Sequence, residues 1–360
     1  MYSVTMEINQ RCNMKCSYCY LGEKNGTVMP WVVAQNSVDF VFANAKIHSD
    51  KKIIFDFIGG EPLLDFGLIK QIVKYVNEKN KLYLYNIEYG VTTNGTLLTK
   101  EIAEWLASEN FNLKISIDGK AEVTNMGRGN GTDVYSKIMQ NWENIILYKK
   151  IACKNVQVTN VITKENYKFY YDSFLHLIEQ LKIKTIFTVL DISVNWSAFE
   201  LECIGRQIEK AYQYFIEKIR MEPFYWHFIT EVKDAIKVKK RFYSCGAGIV
   251  SSYVKVNGDI YACANAVQCK ATLGNVHSGY DKQAISYLKN ITEIDNKKCI
   301  SCSIYELCSA KGCIYKSILE NGNVNHPSYA LCWMQKFKFS FYNNHKKEID
   351  NLYMLQKEKH

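Results

Sequence analysis

Cys12-Asn13-Met14-Lys15-Cys16-Ser17-Tyr18-Cys19 is the stretch that decides the reading of this chain. Its three thiols stand at spacing C-x3-C-x2-C, directly after the alternating run Ser3-Val4-Thr5-Met6-Glu7-Ile8-Asn9, so the segment reads as a strand entering a loop. Cysteine thiolates are soft ligands suited to iron–sulfur clusters. Three of them on one short loop can hold three irons of a 4Fe–4S cluster and leave the fourth iron open. A structural zinc ion takes four protein ligands, and no fourth Cys or His lies nearby in the sequence. An open iron suits a cluster that binds a small molecule rather than one that only passes electrons.

Outward from this loop, strands and helices are expected to alternate. Lys52–Ile58 is a short apolar run of the kind found in buried parallel strands, and it ends in Gly59-Gly60-Glu61-Pro62. A third strand ends at Thr92-Thr93-Asn94-Gly95, and a fourth, Leu113–Ile117, ends at Asp118-Gly119. Val156–Ile162 and Thr185–Ile192 read as the fifth and sixth. Helical periodicity falls over 31–46, 66–78, 98–108, 134–148 and 167–180. Six such alternations predict an α/β fold with a parallel sheet and right-handed crossovers. Sites in barrels and sheets of this type gather at the carboxyl ends of strands, and each polar motif just quoted falls there. A long helix over 197–220 closes the unit, and Phe224-Tyr225-Trp226-His227-Phe228 reads as core or an inter-domain seam.

Beyond residue 240 the texture changes to glycine, cysteine and short turns, the mark of a unit too small to build a large core and held by metal. The tail, about 334–360, reads as a helix with a basic, frayed end. A hydrophobic fraction of 48% over 360 residues supports a real core. No apolar run approaches the roughly 20 residues that span a bilayer, and Met1-Tyr2-Ser3-Val4-Thr5 has neither the basic region nor the apolar core of a signal peptide. A cytoplasmic protein is therefore expected, and its 13 cysteines argue for metal rather than disulfides. The net charge of +9 reads as a solvated basic surface, with an acidic peptide partner as the alternative and nucleic acid not expected. Cys153 and Cys203 have no partners by spacing and are expected to be buried hydrophobes.

The loop, with Tyr18 just before its last cysteine, resembles the cluster motif of radical S-adenosylmethionine (radical SAM) enzymes. The resemblance implies a partial (β/α)6 TIM-like barrel in which Cys12, Cys16 and Cys19 hold a 4Fe–4S cluster whose open iron chelates SAM. Gly59-Gly60-Glu61 looks like the family's motif for the SAM amino group. Ser116, Asp118 and Asn94 match polar positions that in similar enzymes face SAM, and Arg128 matches an arginine directed at the methionine carboxylate. Backbone around Tyr18 and Val161–Ile162 is expected to meet the adenine.

A second cysteine set is spaced Cys245-x12-Gly258-x4-Cys263, then Cys299-x2-Cys302-x5-Cys308-x4-Cys313, then Cys332. It resembles the seven-cysteine SPASM domain of peptide- and protein-modifying radical SAM enzymes, which binds two auxiliary 4Fe–4S clusters. Asn257-Gly258 supplies the expected hairpin turn. The resemblance implies that Cys299, Cys302, Cys308 and Cys332 hold an outer cluster and that Cys245, Cys263 and Cys313 hold an inner one. The spacing before Cys313 is four residues where three is usual. Cys269 lies outside the pattern, either completing the inner cluster or remaining a free thiol. A zinc ribbon of Cys299, Cys302, Cys308 and Cys313 is the rival reading.

The expected division is a radical SAM core over 1–235, a SPASM unit over 240–335 and a C-terminal helix and tail over 336–360. No leader-peptide-binding domain is expected before a loop that begins at residue 12. The resemblance points to maturation of a ribosomally synthesised precursor peptide by a thioether or carbon–carbon crosslink. An external reductant such as flavodoxin or ferredoxin would supply electrons. The leader would be held by the core, the SPASM face or a separate protein. The alternative is an anaerobic sulfatase-maturating enzyme, but those enzymes generally carry Asp after the cysteine matching Cys263, and this chain has Ala264. A non-catalytic electron carrier would explain the cysteines but not Gly59-Gly60-Glu61.

Overall fold

The computed structural model describes residues 1–21, 24–292 and 296–358. Its strands are β1 (Tyr2–Glu7), β2 (Lys52–Ile58), β3 (Asn86–Thr93), β4 (Asn112–Ser116), β5 (Gln157–Ile162), β6 (Thr185–Leu190) and β7 (Tyr225–Trp226), followed by β8 (Ser251–Val254), β9 (Asp259–Tyr261), β10 (Gly274–Asn275) and β11 (Gly279–Tyr280). They form one open sheet in the order β11-β10-β9-β8-β1-β2-β3-β4-β5-β6-β7. Every pair from β1 to β7 is parallel. β8 joins the free side of β1 in parallel, and β9, β10 and β11 then follow antiparallel. The cysteine-rich part thus continues the sheet that carries the cluster loop.

Parallel strands need crossovers, and helices supply them: α1 (Trp31–Ala45), α2 (Phe66–Tyr83), α3 (Lys100–Ser108), α4 (Ala121–Arg128), α5 (Val134–Gln140), α6 (Trp142–Ala152), α7 (Tyr170–Leu175) and α8 (Ala198–Lys218). The core lies between sheet and helices. In β2, Ile53, Phe55 and Phe57 are fully buried while the alternate residues Ile54 and Asp56 are half-buried. Each such fully buried apolar side chain contributes about 1.5–3 kcal/mol. Ser197 and Glu200 close a reciprocal cap on the first turn of α8.

The expected helix over 134–148 is two helices. Asn141 breaks it, and its Nδ2 donates to the Thr96 carbonyl at 2.8 Å, tying the break to the loop after β3. The tail is likewise two helices, Tyr329–Asn344 and Lys346–Glu358, broken at His345; the expected frayed end, Lys359-His360, lies outside the described residues. Phe224, Trp226 and Phe228 are core. Cys153 is not a buried hydrophobe: it is exposed, because it takes the left-handed C-cap position of α6, which turns it to solvent.

The C-terminal part carries α9 (His227–Ala235), α10 (Ala264–Gln268), α11 (Lys282–Asn290), α12 (Lys297–Ile300), α13 (Ile314–Asn321), α14 (Tyr329–Asn344) and α15 (Lys346–Glu358). The last two pack back on the parallel unit: Trp226 N–H donates to Gln356 Oε1 at 2.9 Å, and Lys233 pairs with Asp350 at 2.6 Å.

Candidate active site

The loop after β1 is pinned to the end of β2 by backbone bonds from Gly60 N–H to the Asn9 carbonyl (3.0 Å) and from Glu61 N–H to the Arg11 carbonyl (2.8 Å). This approach requires glycine: a Cβ on Gly60 would sit 2.2 Å from the Arg11 carbonyl oxygen. On its far side the loop rests on α4, where Ser17 N–H donates to the Gly127 carbonyl at 2.9 Å. A Cβ on Gly127 would meet the Tyr18 ring at 2.7 Å.

The loop thiols line a cavity of ≈ 410 Å³ at the carboxyl ends of the parallel strands, a volume within the range of small-molecule sites. Cys12, Cys16, Cys19, Tyr18, Gly59, Gly60, Glu61, Asn94, Ser116 and Arg128 all line it. Asp118 does not; it stands behind the wall, 1% exposed. Its Oδ1 accepts from Arg128 at 2.8 Å and from Val161 N–H at 3.0 Å, and its other oxygen accepts from the Tyr18 hydroxyl. One carboxylate therefore orients an aromatic ring, a guanidinium and a strand end that all face the cavity. Arg128 also lies 5.4 Å from the Tyr18 ring centroid. Burial opposes its charge, but Asp118, Tyr18 and Cys16 hold its pKa above the ordinary value.

Glu61 is fully buried and pushed up to about 7 by desolvation. Three donors pull the other way: Asn94 N–H at 2.8 Å, the Thr93 hydroxyl at 2.7 Å and Leu63 N–H at 3.0 Å. All three favour the ionised form, so a cation in the cavity would complete its partners. Asn94 bonds Asn13 of the loop at 2.9 Å. Burial raises the Cys12 and Cys16 thiols; the Met14 N–H and Lys24 lower Cys12, and Arg128 lowers Cys16. Metal binding must drive off these protons, and nearby amides and cations suit an anionic cluster.

Several wall residues carried no signal in the sequence. Thr159 lies midway along β5 and Asp191 just past β6, and Asn265, Gln268 and Lys316 come from the cysteine-rich part. Gln268 donates to the Tyr20 carbonyl at 3.0 Å, joining α10 to the cluster loop. Lys316 is buried and pairs with Glu320 at 2.9 Å. Thr93 was legible as the neighbour of Asn94; the others arrive through packing between distant segments. Of the expected adenine neighbours, Tyr18 and Val161 line the cavity and Ile162 does not.

The C-terminal cysteines form two groups. Cys299, Cys302, Cys308 and Cys332 line one cavity of ≈ 340 Å³, and Cys313 is not among its lining residues. Cys313 instead lies close to Cys245 and Cys263, which with burial push its thiol up to about 11. Burial, and after it Cys263, raise the thiol of Cys269 at the end of α10; Cys269 in turn adds to the rise of the Tyr315 hydroxyl, and its Sγ donates to the Tyr315 carbonyl at 3.3 Å. Backbone N–H groups point at these sulfurs: Asn265 and Ala266 at Cys263, Ala310 and Lys311 at Cys308, and Lys316 at Cys313. Amide donors to sulfur are a usual feature of cluster ligands. Among the described residues no three or more His, Cys, Asp or Glu side chains close on a single metal ion; a 4Fe–4S cluster spreads its ligands wider. The donor chemistry and spacing fit clusters at both groups.

Residues 6–189, just over half of the chain, match the Radical SAM superfamily. The chain belongs to that superfamily, whose members use SAM and a 4Fe–4S cluster. It is 20% identical to the radical SAM cyclopropyl synthase TigE of Paramaledivibacter caminithermalis over 93% of this chain and 72% of the relative. It is 23% identical to a cysteine-type anaerobic sulfatase-maturating enzyme of Clostridium perfringens, over 92% of this chain and 93% of the relative. In three dimensions it is similar to native anSMEcpe with bound AdoMet (TM-score 0.78, 18% identity, 97% of this chain and 99% of that one). It is also similar to Streptococcus suis SuiB bound to precursor peptide SuiA (TM-score 0.67, 18% identity, 92% and 75%). The parallel α/β fold is thus that of radical SAM enzymes. Among the described residues no helix is long and apolar enough to cross a membrane.

Proposed function

We propose that this chain is a radical SAM/SPASM maturase that modifies a ribosomally synthesised peptide by hydrogen abstraction and forms a thioether or carbon–carbon crosslink. The observation that carries the reading is the shared wall: Asn265, Gln268 and Lys316 of the cysteine-rich part line the same cavity as Cys12, Cys16 and Cys19. Such a wall suits a substrate presented between the two parts. The likeness to SuiB bound to precursor peptide SuiA supports a peptide substrate. In this reading residues 1–235 are the core, 240–335 the SPASM unit and 336–360 the C-terminal helix and tail.

When bound, SAM and its cluster supply a 5′-deoxyadenosyl radical, and two auxiliary clusters supply a place for the electron left after bond formation. The chain's own residues position these parts. Cys12, Cys16 and Cys19 hold the first cluster. Glu61, with Gly59 and Gly60, receives the SAM ammonium. Ser116, Asn94 and Arg128 bind its polar edges, and Asp118 holds Arg128, Tyr18 and the Val161 N–H in place. Cys299, Cys302, Cys308 and Cys332 hold the outer cluster; Cys245, Cys263, Cys313 and Cys269 hold the inner one. The buried wall excludes water from the reacting atoms.

A sulfatase-maturating activity is the second reading, favoured by the relative from Clostridium perfringens; Ala264 beside Cys263 opposes it. Co-expression without oxygen with any small peptide found encoded beside this protein, and in parallel with a sulfatase peptide, each followed by mass spectrometry, decides between them. The first reading expects a product lighter by two hydrogens with a new crosslink. A formylglycine aldehyde on a sulfatase peptide, with no crosslinked product, would overturn it.

A further inference from the structure

A second concave surface lies on the cysteine-rich part, away from the substrate cavity. Lys239, Lys240, Arg241, Lys289 and Lys311 line a groove of ≈ 550 Å³, in which Glu306 is the one carboxylate among the described lining residues. Lys240, Arg241 and Lys289 are exposed, and among the described residues none of the three is ion-paired. Lys239 donates to the Asp234 carbonyl at 2.7 Å, and Lys311 lies buried with its ammonium 3.3 Å from the Tyr305 ring centroid. Cations that outnumber the described carboxylates around them attract an anionic partner and steer its approach.

The position of the groove narrows the choice of partner. Tyr305 and Lys311 also line the cavity of Cys299, Cys302, Cys308 and Cys332, so the two concavities share a wall. Lys298 and Lys336 extend the basic rim around those thiols. No residue of the groove lines the cavity of the cluster loop. A molecule seated here therefore lies beside the outer thiols and not beside the reacting atoms of the substrate. We propose that this groove docks an acidic one-electron carrier protein of the flavodoxin or ferredoxin type. The inference rests on the outer thiols holding a cluster.

The test uses the reconstituted holoenzyme and an oxidised acidic flavodoxin, so that binding is read without turnover, by thermophoresis at low and moderate salt. A ferredoxin is run in parallel. The variant Lys240→Glu/Arg241→Glu/Lys289→Glu is expected to bind at least one carrier roughly tenfold more weakly than wild type, with a flatter salt dependence. Lys346→Glu/Lys347→Glu on the exposed face of α15 is expected to bind like wild type. Flavodoxin-driven SAM cleavage should fall with binding while dithionite-driven cleavage stays unchanged, which separates a docking defect from a failed active site. If the triple variant loses iron, Arg241→Glu alone carries the comparison. Equal binding by wild type and groove variant, or no binding of either carrier to wild type, overturns the proposal. Binding of a polyglutamate peptide but of neither carrier also overturns it, in favour of a peptide surface.

Discussion

Two cysteine-bearing regions of this molecule are held in different ways. The N-terminal loop carries three thiols on eight residues and is fixed from both sides by protein: by backbone bonds to the end of β2 and by contact with α4. The C-terminal region spreads eight thiols from Cys245 to Cys332 among short helices and two- to four-residue strands. Its extended structure is β8 against β1 and a small antiparallel continuation. The first region is a preformed cradle on a deep core; the second has little core of its own and must draw order from what its thiols bind. Removing metal should therefore affect the two regions unequally.

The largest effect is expected from Cys12→Ala/Cys16→Ala/Cys19→Ala. SAM cleavage to 5′-deoxyadenosine and methionine, followed by chromatography under dithionite, should vanish. Iron should fall from about twelve to about eight per chain if three 4Fe–4S clusters are present, while the melting temperature changes little. Chelating all iron should instead strip hydrogen-exchange protection from the region after residue 240 and leave β1 to β6 protected. Equal loss across both regions would erase the contrast.

Asp118→Ala comes next. It leaves the Arg128 guanidinium buried without its carboxylate, and removing one partner of a buried pair costs about 3–5 kcal/mol. A denaturant titration with a shift under about 1 kcal/mol would show that Arg128 finds another acceptor. A smaller, pH-dependent effect belongs to Glu61. With its carboxyl raised to about 7, the ionised form that receives an ammonium grows as pH rises. SAM affinity should weaken up to tenfold per unit as pH falls below 7 and level off above it, with SAM binding releasing a proton near pH 6. Calorimetry in buffers of different ionisation enthalpy measures that proton; Glu61→Gln should abolish the slope. The smallest effect is that of Cys269→Ser, expected to alter the paramagnetic spectrum of the inner cluster with little iron lost. An unchanged spectrum makes Cys269 a free thiol.

Strands β1 to β5 were legible because each is a short, largely buried run followed by glycine or a polar residue, as Lys52–Ile58 is by Gly59-Gly60-Glu61, whereas the two-residue β7 was read only as core or seam. The thiol loop was legible because its ligands are local. Helix breaks were not: hydrophobic periodicity runs through Asn141 and His345, and only the bond from Asn141 to Thr96 shows why the first chain segment turns. α4 was missed because Ala121–Arg128 is polar, and with it went the reason Asp118 is withdrawn from the cavity wall. Lys316 and Gln268 reach the site through contact between segments hundreds of residues apart from the loop, which spacing does not encode. The basic groove was hidden within an ordinary net charge.

The most direct test of the account is electron paramagnetic resonance of the freshly reduced, anaerobic protein before and after SAM is added, with the N-terminal triple alanine variant as reference. The account predicts a cluster signal that changes on adding SAM and is absent from the variant. A spectrum indifferent to SAM in the wild-type protein, or a SAM-dependent signal that survives loss of Cys12, Cys16 and Cys19, would contradict it.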